Sequence, residues 1–146
     1  MNKKIKILLT LLLGLMFFFA GLVYAITWKP ANQITIGWEP VTLLTDGSAI
    51  PAGSVITYRV CISNAITDPN KTNPVCLDDV ITGLEKTITF NVEGSFVPGV
   101  KAVRSVDGTV VSESIISWYD DVTKTATGEA YGYLYYLAPT EVGGLR

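Results

Sequence analysis

The sequence contains no histidine and only two cysteines, Cys61 and Cys76. The first absence excludes the usual serine and cysteine triads, imidazole acid–base catalysis and histidine-ligated metals. No serine lies in a Gly-x-Ser-x-Gly turn, so a small hydrolase would have to rely on a serine with a lysine base; the Walker loop and the dinucleotide fingerprint are also missing. Long stretches of helical period do not occur. These absences predict a chain that is not an enzyme and takes no cofactor and no metal.

What the sequence does have begins with a long apolar run. Lys3, Lys4 and Lys6 precede 19 uncharged residues, from Ile7 to Ala25. That is the layout of a signal peptide, and Val23, Tyr24 and Ala25 put small or modest side chains where a signal peptidase needs them. Residues 1–25 are therefore read as a leader and Ile26 as the first mature residue, against the competing reading of an uncleaved anchor, for which the run is near the lower length limit. The absence of a cysteine after the run excludes a lipidated cysteine at the new N-terminus. The expected location is outside the cytoplasm: periplasm, cell surface or extracellular space, in a bacterial or phage setting.

Loss of the leader leaves 8 basic against 13 acidic residues, a net charge of −5. Phosphate binding needs clustered Lys and Arg, whereas Lys29, Arg59, Lys71, Lys86, Lys101, Arg104 and Lys124 stand singly, so nucleic acid is not an expected partner. Membrane contact is expected only through the leader, if it is uncleaved. The remaining 121 residues form one domain by length. Outside the reducing cytoplasm Cys61 and Cys76 are predicted to pair, the alternative being two buried free thiols. Closing a loop of about fifteen residues is worth roughly 3 kcal/mol in the chain-entropy model.

Apolar residues alternate with polar ones throughout the mature chain, and strands are the natural unit. Ile34, Ile36 and Trp38 share a face over 33–38; Ile56, Tyr58, Val60 and Ile62 share one over 55–63, with Cys61 opposite. Shorter candidates are 75–81 and 87–92, the latter with Ile88, Phe90 and Val92 in step. A turn at Gly94 leads to a long strand over 96–106, in which Pro98 signals an edge or a bulge. Asp107-Gly108 is the clearest hairpin signal and leads into a strand over 109–118. Residues 46–53 and 67–74 are turn-rich, the second a solvated loop. Seven or so strands at this spacing predict an all-β sandwich.

These residues resemble a fibronectin type III domain, particularly its bacterial versions. Residues 34–40 (ITIGWEP) are similar to the family's second strand with Trp38 as its core tryptophan. Asp46 to Pro51 resemble the loop that often follows in bacterial members, and Tyr58 and Val60 match the third strand. Phe96, Val100, Ala102, Gly108, Ser112 and Ser114 fit the later pattern. The resemblance implies an immunoglobulin-like sandwich over 26–120, followed by a tyrosine-rich C-terminal extension, 121–146, with an extra strand or tail. Phe96 replaces the usual corner tyrosine, the approach at 92–95 is short, and the cysteine pair is an addition. The family serves adhesion, spacing and display, so the resemblance implies fold more than function.

Few groups suggest chemistry. Asp78 with Asp79 and Asp120 with Asp121 are the densest carboxylates, but neighbours on a strand point to opposite faces. They are read as solvated loop acids, with a weak calcium site as the alternative. Asn70-Lys71-Thr72 matches a glycosylation sequon. Tyr131, Tyr133, Tyr135 and Tyr136 are the candidate binding residues, since exposed rings stack on sugars or proteins; the plain alternative is that they cover the sandwich. The leading expectation is a non-catalytic exported module that binds or spaces, engaging a protein or a surface glycan. The alternative is a structural subunit of a surface or virion assembly that uses its C-terminal strand for contacts. The sequence leaves the oligomeric state open.

Overall fold

Alternation builds two layers of strand in the computed structural model, which describes residues 25–137. Residues 1–24, which hold all but the last residue of the segment read as a leader, and residues 138–146 lie outside the described residues. The strands are β1 (Thr27–Pro30), β2 (Gln33–Gly37), β3 (Ser54–Asn64), β4 (Val75–Cys76), β5 (Glu85–Thr89), β6 (Gly94–Val106), β7 (Thr109–Glu113), β8 (Ser117–Trp118) and β9 (Tyr131–Tyr135). The larger sheet has the order β1-β9-β6-β3-β4, with β7 and β8 also paired to β6; β2 and β5 form the smaller one. The all-β expectation holds.

The core is the space between the layers. Ile34 and Ile36 of β2, with Ile88 and Phe90 at β5, meet Tyr58 and Val60 of β3 and Val100 of β6. Trp38 and Tyr58 are 5.4 Å apart at their ring centroids. Phe96 stacks on Phe90 at 4.7 Å. Trp38, Phe96 and Ala102 are partly buried against the same cluster, so the core signature read from the sequence lies together.

The other face of the larger sheet is also covered. Cys61, Ser63 and Val97 are buried there. A Cβ added at Gly99 would lie 2.6 Å from both Ile116 and Trp118, and one at Gly132 would enter the ring of Trp28. The two glycines thus seat indoles flat on the sheet. Cys61 and Cys76 are register partners on β3 and β4 and are disulfide-bonded. The loop over 65–73 folds back around Asp68, whose carboxylate accepts from Ser63, Thr72 and Asn73. Its Lys71, in the left-handed region at φ 55°, reaches Asp120 at 2.6 Å, 5.9 Å from the centroid of Trp118.

Several local expectations need correction. Trp38 lies just past the end of β2, bonded through its N–H to the Leu84 carbonyl. Residues 75–81 shrink to β4 plus a single bridge from Ile81 to Tyr58. Val92 is 72% exposed, because the β2–β5 pairing stops at Gln33–Thr89 and the chain leaves the layer after Phe90. Gly94 is no turn; it opens β6 opposite Tyr135, close under Phe96 and Asn64. The strand over 109–118 is broken into β7 and β8 by residues 114–116.

Pro98 is at neither an edge nor a bulge. It is fully buried in β6, opposite Ile62. Its carbonyl accepts from the Tyr119 N–H, so its missing N–H faces that same side. On that side β9 ends at Phe96 and β8 begins at Gly99. The donor is absent where the neighbouring strand changes, and no ladder bond is lost. The Asp107-Gly108 hairpin is as expected, both residues having positive φ (50° and 76°), as a type I′ turn requires.

Candidate functional site: a tyrosine-lined flank and its cleft

The two layers differ in width. Trp38 packs on Tyr58 of β3 and Phe90 on Phe96 of β6, so β2 and β5 lie over β3 and β6. The smaller sheet has two strands against the five on the main path of the larger one, and β9 and β1 pair with neither of them. The inner face of β9 carries Tyr131, Tyr133 and Tyr135, placed there by the pairing of Tyr133 with Phe96 and Tyr135 with Gly94. Tyr133 and Tyr135 pack against the core, the first 6.4 Å from Phe90.

Tyr119 comes in from the end of β8 and donates its hydroxyl to the Gly37 carbonyl, at the border of the small layer. Burial, then the neighbouring Tyr133, pushes the Tyr119 phenol above its ordinary range, against the opposing effect of the Gly37 bond. Tyr133 is raised by burial and then by Tyr131. Tyr131 lies under the Lys29 ammonium, 3.8 Å from its centroid, and donates to Glu129. Tyr136 does not belong to this row; it follows the strand and is 56% exposed.

At one end the flank opens into a cleft of about 670 Å³. Val100 lines it from β6, with Trp38, Glu39, Ser117, Tyr119 and Lys124 around it. The far wall is the segment 122–127, beginning in a short 3-10 turn, Val122–Lys124. Asp121 caps that turn by accepting from the Thr123 N–H and hydroxyl, which together hold its carboxyl below the usual range. Wall hydroxyls are spent on internal bonds, Thr125 to the Val122 carbonyl and Thr127 with Tyr131. Among the described residues the Glu39 carboxylate, the Lys124 ammonium and the Ser117 hydroxyl are left for a ligand, and the buried Trp38 indole N–H has no acceptor. The cleft is of small-ligand size and combines aromatic walls with a few polar groups.

The acids singled out in the sequence are used elsewhere, one at a time. Asp79 pairs with Lys86, Asp120 with Lys71, and Asp121 caps its turn, while Asp78 is exposed. Lys101 and Arg59 converge on Glu113, whose carboxyl is lowered chiefly by the Lys101 bond. Asn70 is exposed. Sequence reading found Tyr131 but missed Ser117, Tyr119 and Lys124. The adjacent rings of Trp118 and Tyr119, pointing to opposite faces of one strand end, were the available signal. Comparison with protein-family models, with curated proteins and with solved structures found no match to this chain.

Proposed function

We propose that the chain is an exported immunoglobulin-like sandwich of the fibronectin type III kind that acts as a non-catalytic binding module. The fold part of this reading is supported by the narrow β2–β5 layer facing the broad β4-β3-β6-β9 sheet, and by the Asp107-Gly108 hairpin. The disulfide fits an oxidising location. The binding part rests on one observation, the cleft at the Trp38 end of the tyrosine-lined flank. A surface glycan suits it: a sugar face stacks on the aromatic walls while its hydroxyls meet Glu39, Lys124 and Ser117. A protein segment is the other ligand of this reading.

The test is a glycan array and a pull-down with the exported protein, repeated with Lys124→Ala and Tyr131→Ala. Capture should fall at least about tenfold in each, the loss of one good contact of roughly 1.4 kcal/mol. Binding that survives both changes places the site elsewhere, and no binding at all removes the reading. A second reading, a structural subunit of a surface or virion assembly, is favoured by a separate feature, the edge of β2 that has no strand partner among the described residues.

A further inference from the structure

The outer face of the larger sheet holds a second cavity, of about 240 Å³, which shares no lining residue with the Trp38 cleft. Its base is a row of strand neighbours. Trp28 of β1 pairs with Gly132 of β9, and Val97 of β6 with Ser63 of β3; one step past the Phe96–Tyr133 pair, Val97 and Gly132 follow in line. Because Gly132 has no side chain, the Trp28 ring lies over it. Val97 and Ser63 remain as the floor, both almost fully buried. The walls bring charge: Asp68 and Lys71 from the 65–73 loop, and Asp120 from the turn after β8. Ile26, half-buried just ahead of β1, lines the same cavity.

The two carboxylates of this cavity are not equally satisfied. Asp68 accepts from Ser63, Thr72 and Asn73. Asp120, whose side chain is only 12% exposed, holds the Lys71 ammonium on one oxygen, and no hydrogen bond from the described residues reaches the other. The charged groups nearest in sequence are engaged elsewhere, Glu129 by the Tyr131 hydroxyl and Lys29 over the Tyr131 ring. Removal of a leader that ends at the exposed Ala25 makes Ile26 the first residue. Its backbone nitrogen then changes from an uncharged amide into an ammonium with an ordinary pKa of about 7.7–8.0. This new end has no slack. The next N–H, that of Thr27, is bonded to the Ala130 carbonyl, and the Tyr131 N–H is bonded to the carbonyl of Tyr119, the neighbour of Asp120. The charge is therefore held within one residue of a fixed ladder, at the cavity that Asp120 lines.

We infer that removal of the leader adds a second cation to this cavity: the Ile26 α-ammonium pairs with Asp120 and fastens the start of β1 to the outer face beside the 65–73 loop. The inference rests on the leader reading, and the Trp38 cleft plays no part in it. Hydrolysis of the Ala25–Ile26 peptide bond takes up one water, leaves a carboxylate on Ala25 and frees the Ile26 amine, which is protonated at neutral pH. Lys71 keeps one oxygen of Asp120 and the new ammonium takes the other. Charges mostly withdrawn from water attract more strongly than an exposed pair. The full-length chain has an amide at this place and lacks the contact, so processing itself stabilises the fold.

The test begins with the exported chain, whose first residue is read by Edman degradation and intact mass. Any first residue other than Ile26 overturns the inference, and a retained Met1 overturns the leader reading with it. The mature chain is then compared in urea with one that keeps Ala25 at its start, which moves the ammonium by about 3.5 Å. The extra residue should lower the folding equilibrium constant about tenfold at neutral pH and change nothing in an Asp120→Asn background. The Ile26 amine, followed by NMR, should titrate about one unit above its ordinary value, the same tenfold. Its contribution is whole below the unfolded value and is lost as pH rises through the raised folded one. Equal stability of the two starts overturns the inference, as does a difference that persists in Asp120→Asn; in both cases the leader reading stands. If Asp120→Asn fails to fold, the titration of the Ile26 amine in the wild type decides: a raised value supports the pairing and an ordinary one ends it.

Discussion

The two faces of the larger sheet are sealed by different means. Inside, a second layer lies on it strand over strand, and the seal is aliphatic and aromatic side chains at alternate positions. Outside, nothing periodic covers it: two indoles sit on two glycines, a loop is folded back by one aspartate, an ion pair ties that loop to the turn after β8, and a disulfide holds β4 to β3. The first kind of cover gains stability from area removed from water, the second from a few particular contacts. The two should therefore fail differently.

The largest effect is expected inside. Ile36 is 2% exposed at the centre of the core, and Ile36→Ala should lose about 4 kcal/mol through lost transfer energy and the cavity left behind, read as a lower urea midpoint at unchanged slope. The outer cover should break at its covalent tie next. Replacing both cysteines by serine should lower stability by about 3 kcal/mol, and dithiothreitol should have the same effect on the wild type but none on the variant. A value near zero would mean that the outer cover stands without the bond. Third comes Gly99→Ala, where the new methyl meets Trp118 and Ile116. Overpacking of this sort should remove about 2 kcal/mol, and trimming Trp118 to Leu in the same chain should restore part of it.

The smallest effect belongs to the flank, where neither cover is complete. The Tyr119 and Tyr133 phenols are raised in the folded state. Folding thus favours their protonated forms, and that contribution is whole below the ordinary tyrosine value of about 10 and is lost as pH rises through the raised folded value. Unfolding midpoints should be level between neutrality and about pH 10 and fall above it. Tyr119→Phe should lose about 1 kcal/mol at neutral pH with its hydrogen bond to Gly37 and flatten the alkaline fall. An unchanged alkaline limb would show that another group controls it.

The same contrast explains what could be read from the sequence. Ile34 and Ile36, Tyr58 and Val60, and Ile88 and Phe90 announce the inner face because strand geometry repeats every two residues and the chain records that period directly. Asp107-Gly108 and the Cys61–Cys76 pair are legible for other reasons, a positive φ in the first and, in the second, a leader-like start that reads as a route out of the reducing cytoplasm. Trp28 on Gly132 and Trp118 on Gly99 leave no such record, since an indole and the glycine beneath it share no spacing rule. Pro98 misleads because proline's position in a sheet depends on where neighbouring strands begin and end, here β9 and β8. The cleft is least legible of all. It exists because one layer is narrower than the other, a property of strand partnering, so of its lining only Trp38, Val100 and Tyr131 stood out beforehand.

The parallel pairing of β1 with β9, Thr27 opposite Tyr131 through Pro30 opposite Leu134, has a consequence in time. A polypeptide is synthesised from its amino end, so the first of these strands to emerge is the one whose mate comes last. Until Tyr131–Tyr135 arrives, Thr27–Pro30 has no ladder to join and Trp28 has no glycine to rest on. β1 can join the larger sheet only once Tyr131–Tyr135 is out, and a nascent chain arrested short of Tyr131 keeps its leading strand unpaired.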